Sequence, residues 1–315
     1  MVGLHLPVLE KEVIHYLNCR SGKTYVDCTV GDGGHAEAIC HLIGPDGTLI
    51  GLDWDEAALA RAEERLSGFS SRVKLIHADY SSLKEVLYQE NKPLVDGILI
   101  DLGASTLQLM DAGRGFSFHQ SGELDMRMDR RLPVTAKEII NNSSIEELTA
   151  LFYKYGEERW SKRIATRIEK EIEDSGPIVD SEQLADLVKE AIPARFRRSG
   201  GHPARKVFQA LRLAVNRELD NLEQVLPQAL ESLGFGGRIC IIAYHSLEDR
   251  IVKQYFKEQS GICNCPPGKP CICDRKKYLS ILTAKAVKPT EEEIDANPRA
   301  RSARLRAAER LDKTG

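Results

Sequence analysis

The sequence has no apolar run near the ~18 residues that a membrane-spanning helix needs, so no integral membrane protein is expected. Nor does it open on a signal-peptide core, because Glu10, Lys11 and Glu12 interrupt the first segment. Excess charge of one sign is missing too: 44 Lys and Arg against 47 Asp and Glu leave a net charge of −3. Any contact with nucleic acid must then come from local patches. There is no internal repeat and no low-complexity tract, which excludes a solenoid and wholesale disorder. What is present is an ordinary folded composition, 42% hydrophobic and 29% charged over 315 residues. That length calls for two domains or for one domain carrying an insertion. Eight cysteines without an export signal read as thiols or metal ligands rather than disulfides, with the cytoplasm as the expected compartment.

Strand-like runs at residues 24–29, 48–53, 73–79 and 97–102 alternate with helical stretches at 36–43, 55–66 and 82–89. This rhythm predicts an α/β fold with a mostly parallel sheet covered on both faces. A fifth strand, 238–244, comes only after a long interval, and the helix after it shows Leu247, Ile251, Val252, Tyr255 and Phe256 on one face. Residues 110–203 are helical and charge-rich, with Trp160, Ile164 and Ile168 in a stripe at i, i+4, i+8 spacing and Asp180 capping a helix that Pro193 ends. They are expected to form an inserted helical subdomain, with 1–109 and 204–315 making the discontinuous main domain. One helix over 206–226 is expected to rejoin the sheet. The polar, arginine-rich tail reads as a surface helix or arm.

Gly31-Asp-Gly33-Gly34-His35-Ala36 matches the glycine-rich turn of nucleotide-binding α/β folds, and Asp53 lies 22 residues beyond Gly31, where an acid meets ribose hydroxyls. Three details favour S-adenosylmethionine (SAM) over a dinucleotide. Asp27 lies in the strand before the turn, suited to an ammonium group; Asp79-Tyr80 follows the third strand, suited to adenine; Asp101 closes the fourth, where a methyl acceptor would sit.

Several longer strings are more specific: VDCTVGDGGHA, DGILIDLGASTLQL, RGFSF with LDMRMD, HPARKVFQALRLAVNREL and YHSLEDRIVK. On these the chain resembles the bacterial 16S rRNA cytosine-N4 methyltransferases, over roughly residues 5 to 310. The resemblance implies a class I SAM-dependent methyltransferase domain interrupted by a helical domain. It also implies cofactor contacts at Gly33, Gly34, His35, Asp53, Tyr80, Asp101 and Gln108. The implied reaction is methylation of N4 of a decoding-centre cytidine, position 1402 in standard rRNA numbering, with 16S rRNA in the small ribosomal subunit as partner. The acid-or-Ser/Asn, Pro, Pro, aromatic string of many amine methyltransferases is replaced by Asp101-Leu-Gly-Ala-Ser105, so the groups that accept the amine hydrogens are sought elsewhere. Asp101, Ser105, Tyr244, His245 and Ser246 are the candidates, each equally readable as a loop polar group.

Two arginine-rich segments are expected to meet RNA phosphate: Arg195, Arg197, Arg198, Arg205 and Lys206, and the tail with Arg299, Arg301, Arg304, Arg306 and Arg310. Cys263, Cys265, Cys271 and Cys273 suggest a zinc site, but C-x-C spacing is tighter than the usual C-x2-C, so a reduced surface loop is favoured. Cys19, Cys28, Cys40 and Cys240 read as core. Two rival functions share these features: a nucleotide-dependent oxidoreductase, and a non-catalytic RNA-binding assembly factor that keeps SAM only structurally.

Overall fold

The computed structural model describes residues 7–312 apart from 70–71, 106–107, 110, 119–120, 198–201 and 263–275. Arg198 and the cluster of Cys263, Cys265, Cys271 and Cys273 therefore lie outside the described residues. The chain divides into two compact units, residues 1–103 with 219–315, and residues 104–218.

The first unit begins with α1 (Glu10–Leu17), β1 (Thr24–Asp27), α2 (Gly34–Ile43), β2 (Thr48–Asp53), α3 (Glu56–Leu66), β3 (Arg72–His77), α4 (Leu83–Gln89) and β4 (Val95–Asp101). The second unit holds α5 (Ala136–Asn142), α6 (Ile145–Gly156), α7 (Ser161–Ser175), α8 (Ser181–Ala191) and α9 (Arg205–Val215). The chain then returns to the first unit with α10 (Glu218–Ser232), β5 (Leu233–Ala243), α11 (Ser246–Gln259), β6 (Leu279–Ile281), α12 (Glu291–Ala296) and β7 (Arg304–Arg310).

Among the described residues the sheet has seven strands in the order β3-β2-β1-β4-β5-β7-β6. Every pair from β3 to β5 is parallel; β7 runs antiparallel to β5 and to β6. Successive strand residues feed opposite cores, as the two-residue period requires. Tyr25, Leu49, Leu99 and Ile242 pack with Val13, Ile39 and Ala62. Val26, Ile50, Ile98 and Ile241 pack with Leu83, Leu226 and Phe256. Both faces are covered, so these strands read as continuous apolar runs.

The tail departs from the expectation of a surface helix or arm. Residues 304–310 are β7, paired to β5 from Arg238↔Glu309 to Ala243↔Arg304. Leu305 and Ala307 are fully buried, while Arg304 and Arg306 between them bond the Asp249 carboxylate, Arg306 Nε at 2.7 Å and Arg304 Nη1 at 3.3 Å. The alternation of arginine with apolar residues is a strand period that charge alone conceals.

The helix expected over 206–226 is two helices in different units. Asn216 and Arg217 separate them, Arg217 with φ of 51° in the left-handed region. Asn216, 2% exposed, accepts from Met128 N at 2.7 Å and donates to Met126 O at 2.8 Å and Arg212 O at 2.9 Å. Arg114 Nη2 donates to the carbonyls of Arg127 and Met128, both at 2.8 Å. The LDMRMD string is thus a loop tied down within the second unit by two polar side chains. Asn216→Ala strands three backbone bonds in a dry site, and is expected to destabilise this unit by about 2–4 kcal/mol in chemical denaturation, with Asn216→Asp partly restoring it.

In the second unit Thr135 and Ser144 each form a reciprocal capping box with the glutamate three residues on, which fixes the starts of α5 and α6. Asp180 accepts from Gln183 N and opens α8, as the sequence indicates. Ile164 and Ile168 are buried as their spacing predicts, but Trp160, at the head of the stripe, is only half-buried.

Candidate active site

The strand order reverses beside β1, with β2 and β3 to one side and β4 and β5 to the other. Ligands of such sheets bind at the carboxyl ends of the strands at this point. Acids stand there in turn: Asp27 ends β1, Asp53 ends β2 and Asp101 ends β4, while Asp79 follows β3 and Tyr244 follows β5.

Between β1 and α2 the chain turns tightly, with Gly31 at φ 51° and Gly33 at φ 82°. A Cβ on Gly33 would stand 3.4 Å from Ala62 Cα of α3, so the turn lies close against that helix. Asp53 Oδ2 accepts from Gly31 N at 2.8 Å and its Oδ1 from Asp55 N at 2.9 Å. Each oxygen keeps a further acceptor site. The acid expected on a ribose thus also holds the glycine turn in shape. Arg61 and Arg65, reaching the turn from α3, are paired with Asp32 and Glu37.

Asp27 is 1% exposed; Oδ1 accepts from Thr29 N at 3.2 Å, and Oδ2 is buried with no hydrogen-bond partner among the described residues. Asp101 N donates to Thr29 Oγ1 at 2.6 Å, which links the ends of β1 and β4. Asp101 Oδ1 accepts from the Tyr244 hydroxyl at 2.9 Å, and Oδ2 stands 3.7 Å from His35 Nε2. Burial pushes Asp27 up to about 7, with the charge of Asp53 adding to it. Burial likewise pushes Asp101 to about 7, where Asp27 and Glu248 raise it and the Tyr244 hydroxyl opposes. Asp53 is raised by burial to about 6, its two backbone donors opposing. Three carboxyls held back from ionising form a site that a cation would relieve and a pyrophosphate would worsen.

Tyr80 is 5% exposed, and its ring centre lies 5.7 Å from that of Trp54, tilted by 48°. Trp54, half-buried and directly after Asp53, was passed over in the sequence; its place behind the ribose acid was the available signal. Asp79 accepts from Ser81 N at 2.6 Å and from Asn221 Nδ2 at 2.8 Å. His245 is the N-cap of α11: Nδ1 accepts from Glu248 N at 3.4 Å, and Nε2 faces Glu248 Oε1 at 3.0 Å. Glu248, 2% exposed, in turn accepts from the backbone N–H of Tyr244 at 2.9 Å and His245 at 3.2 Å. This carboxylate, legible only as a capping box, fixes the turn that delivers Tyr244 to Asp101. Ser246 is exposed at the start of α11.

Ser105 and Gln108 belong to the second unit, where Ser105 N donates to Gln108 Oε1 at 2.9 Å and Gln108 N to Ser105 Oγ at 3.2 Å. In that unit Arg197 donates to the carbonyls of Ile192 and Glu190, and Lys206 Nζ to Glu157 O. Arg195 and Arg205 are exposed. In the first unit Arg301 is exposed, whereas Arg304 is held by Asp249 and Arg310 donates to the carbonyls of Glu231 and Leu233. Cys28, Cys40 and Cys240 are buried, and burial raises the Cys28 and Cys240 thiols well above their ordinary value. No group of three or more His, Cys, Asp or Glu suited to a metal ion occurs among the described residues. No described helix is long and apolar enough to cross a membrane.

A sheet of this order with its last-made strand reversed, and acids at the ends of β1, β2 and β4, defines a class I methyltransferase. The MraW methylase family matches residues 3–311, and the chain belongs to that family. Its relatives include proteins named ribosomal RNA small subunit methyltransferase H. That of Halothermothrix orenii is 49% identical over 308 residues, 98% of each chain. That of Trichlorobacter lovleyi is 50% identical over 308 residues, again 98% of each. That of Clostridioides difficile is 44% identical over 308 residues, 98% of this chain and 99% of its own.

Proposed function

We propose that the protein methylates 16S rRNA with S-adenosylmethionine as donor, at N4 of the decoding-centre cytidine 1402. The relatives' shared name supports the substrate, and the Asp27 oxygen without a hydrogen-bond partner among the described residues, in a ring of raised carboxyls, carries the donor. Donor and site fit. Asp27 meets positive charge, Asp53 offers two acceptor sites for ribose hydroxyls, Asp79 and Tyr80 border the adenine position, and the glycine turn admits close approach. When bound, SAM supplies an electrophilic methyl on a sulfonium. The oxidoreductase reading loses support, since a pyrophosphate would face these carboxyls while Arg61 and Arg65 are already paired.

Cytosine N4 is a weak nucleophile because its lone pair is delocalised into the ring. Transfer breaks the methyl–sulfur bond, forms the methyl–nitrogen bond and leaves a surplus proton on N4. Asp101 is the acceptor best suited to that proton: its Oδ1 is occupied by Tyr244, its Oδ2 carries the remaining capacity, and its pKa lies near the working pH. Tyr244 and Glu248 position that carboxylate, and His245 holds the start of α11. Residues 104–218, which include Ser105, we assign to recognition of rRNA in the small subunit, in the cytoplasm.

The deciding experiment is transfer of labelled methyl from SAM to small subunits from cells lacking this gene, followed by mass mapping of the product nucleoside. N4-methylcytidine at one position is expected. Binding of subunits without transfer would leave the assembly-factor reading, and methylation at another atom would remove the N4 assignment.

A further inference from the structure

The second unit carries an aromatic and arginine cluster that the cofactor site does not use. Trp160, at the start of α7, and Phe196, five residues past the end of α8, are half-buried with ring centres 5.5 Å apart and planes at 41°. Arg159 Cζ lies 4.2 Å from the Phe196 ring centre and 5.2 Å from that of Trp160, and Arg195 Cζ lies 4.7 Å from Phe196. Both arginines are exposed, and neither meets a carboxylate among the described residues. Arg163, one turn beyond Trp160, is exposed and likewise without a carboxylate partner among them.

How the guanidinium groups are held is the informative point. An arginine fixed by hydrogen bonds spends its N–H donors on the partners, as Arg197 spends its own on the carbonyls of Ile192 and Glu190. An arginine fixed by an aromatic face is restrained through the ring quadrupole and keeps its donors. Arg159 and Arg195 are therefore restrained cations with their hydrogen-bonding capacity in reserve, beside partly open rings. That combination matches single-stranded RNA, whose phosphates take the planar fork and whose unstacked bases lie on rings or guanidinium planes. Duplex RNA offers no free base face, and an acidic protein segment would leave the rings without purpose.

The geometry points to this cluster as a docking surface for an unpaired rRNA strand, with Arg159 and Arg195 as its preset phosphate contacts and the Phe196–Trp160 pair as their support. The assignment rests on the proposed rRNA substrate and names how the strand is held. It also revises the arginine patch legible in the sequence, keeping Arg195, releasing Arg197 and adding Arg159.

Four proteins test it: wild type, Phe196→Leu, Phe196→Tyr, and Arg159→Gln with Arg195→Gln. Binding to small subunits from cells lacking the gene is measured across a salt series, beside kcat, KM and SAM affinity. Leucine keeps the bulk but not the ring, so Phe196→Leu is expected to raise Kd and KM for subunits roughly tenfold, with kcat and SAM affinity unchanged, while Phe196→Tyr behaves as wild type. The double variant is expected to lower the salt slope of log K by about 1.4, two single-strand phosphates' worth. Should Phe196→Leu alter folding, the double variant, which leaves the rings in place, decides alone. Subunit affinity and salt slope at wild-type values in the double variant would overturn the assignment, as would ultraviolet crosslinking of the 159–160 and 194–197 segments to a ribosomal protein instead of RNA. Wild-type binding without methyl transfer would instead reject the proposed function and leave this surface standing.

Discussion

Asp27→Asn is expected to abolish SAM binding at micromolar concentrations while making the ligand-free protein more heat-stable at pH 8. The buried carboxylate has one oxygen with no hydrogen-bond partner among the described residues, so a cation supplied by the ligand is its natural complement. Removing one member of a buried charged pair costs about 3–5 kcal/mol, roughly a 10²–10³-fold loss of affinity or more. In the free protein Asp27 is raised to about 7. Its protonated form is therefore favoured by folding, and that contribution, complete below about pH 4, is lost progressively as pH rises to about 7. The ligand-free wild type should lose stability between about pH 4 and 7 more steeply than Asp27→Asn, with the two alike below about pH 4 and the difference constant above about pH 7. SAM affinity of the wild type should run the other way, roughly tenfold weaker at pH 6 than at pH 7.5, because the proton must leave before the cation settles. Calorimetry at both pH values and thermal melts of both proteins check this; a pH-independent affinity in the wild type would remove Asp27 from the cofactor.

Asp101→Asn is expected to lower kcat by about 10²–10⁴-fold, the range for losing a positioned proton acceptor. Tyr244→Phe is the graded companion. Its hydroxyl opposes the upward shift of Asp101, so losing it lets Asp101 hold its proton to higher pH. The acid limb of kcat/KM should accordingly move to higher pH in Tyr244→Phe and vanish with the activity in Asp101→Asn. If single-turnover rates with bound SAM were equal in wild type and Asp101→Asn, the proton would have another destination.

The parallel strands and their terminal acids were legible because local pattern determines both: apolar runs of strand length, then a glycine turn or an acid. Asp27, Asp53 and Asp101 were placed from sequence for this reason. What escaped depends on partners far along the chain. The hydrogen bond from Tyr244 to Asp101 spans 143 residues, and nothing near Asp27 in sequence reveals that one of its oxygens goes unmatched. The break at Asn216 was hidden inside a continuous helical pattern, since its cause is the Met126–Met128 backbone some 90 residues away. The tail misled for the opposite reason: its arginines dominate the composition, and only pairing with β5 and Asp249 gives them a strand's role. The spacing of Trp160 with Ile164 and Ile168 marks a helix, but the arginines beside it cannot be seen as lacking carboxylate partners without their surroundings.

The position of β7 has a consequence for how the protein is made. Among the described residues it is the last strand to be synthesised, yet it lies between β5 and β6, and β6 has no other neighbour in the sheet there. While the chain is growing, β5 presents an open edge, the condition under which strands of other chains are recruited, and Asp249 waits without Arg304 and Arg306. Completion of the sheet is thus deferred until translation has reached residue 310.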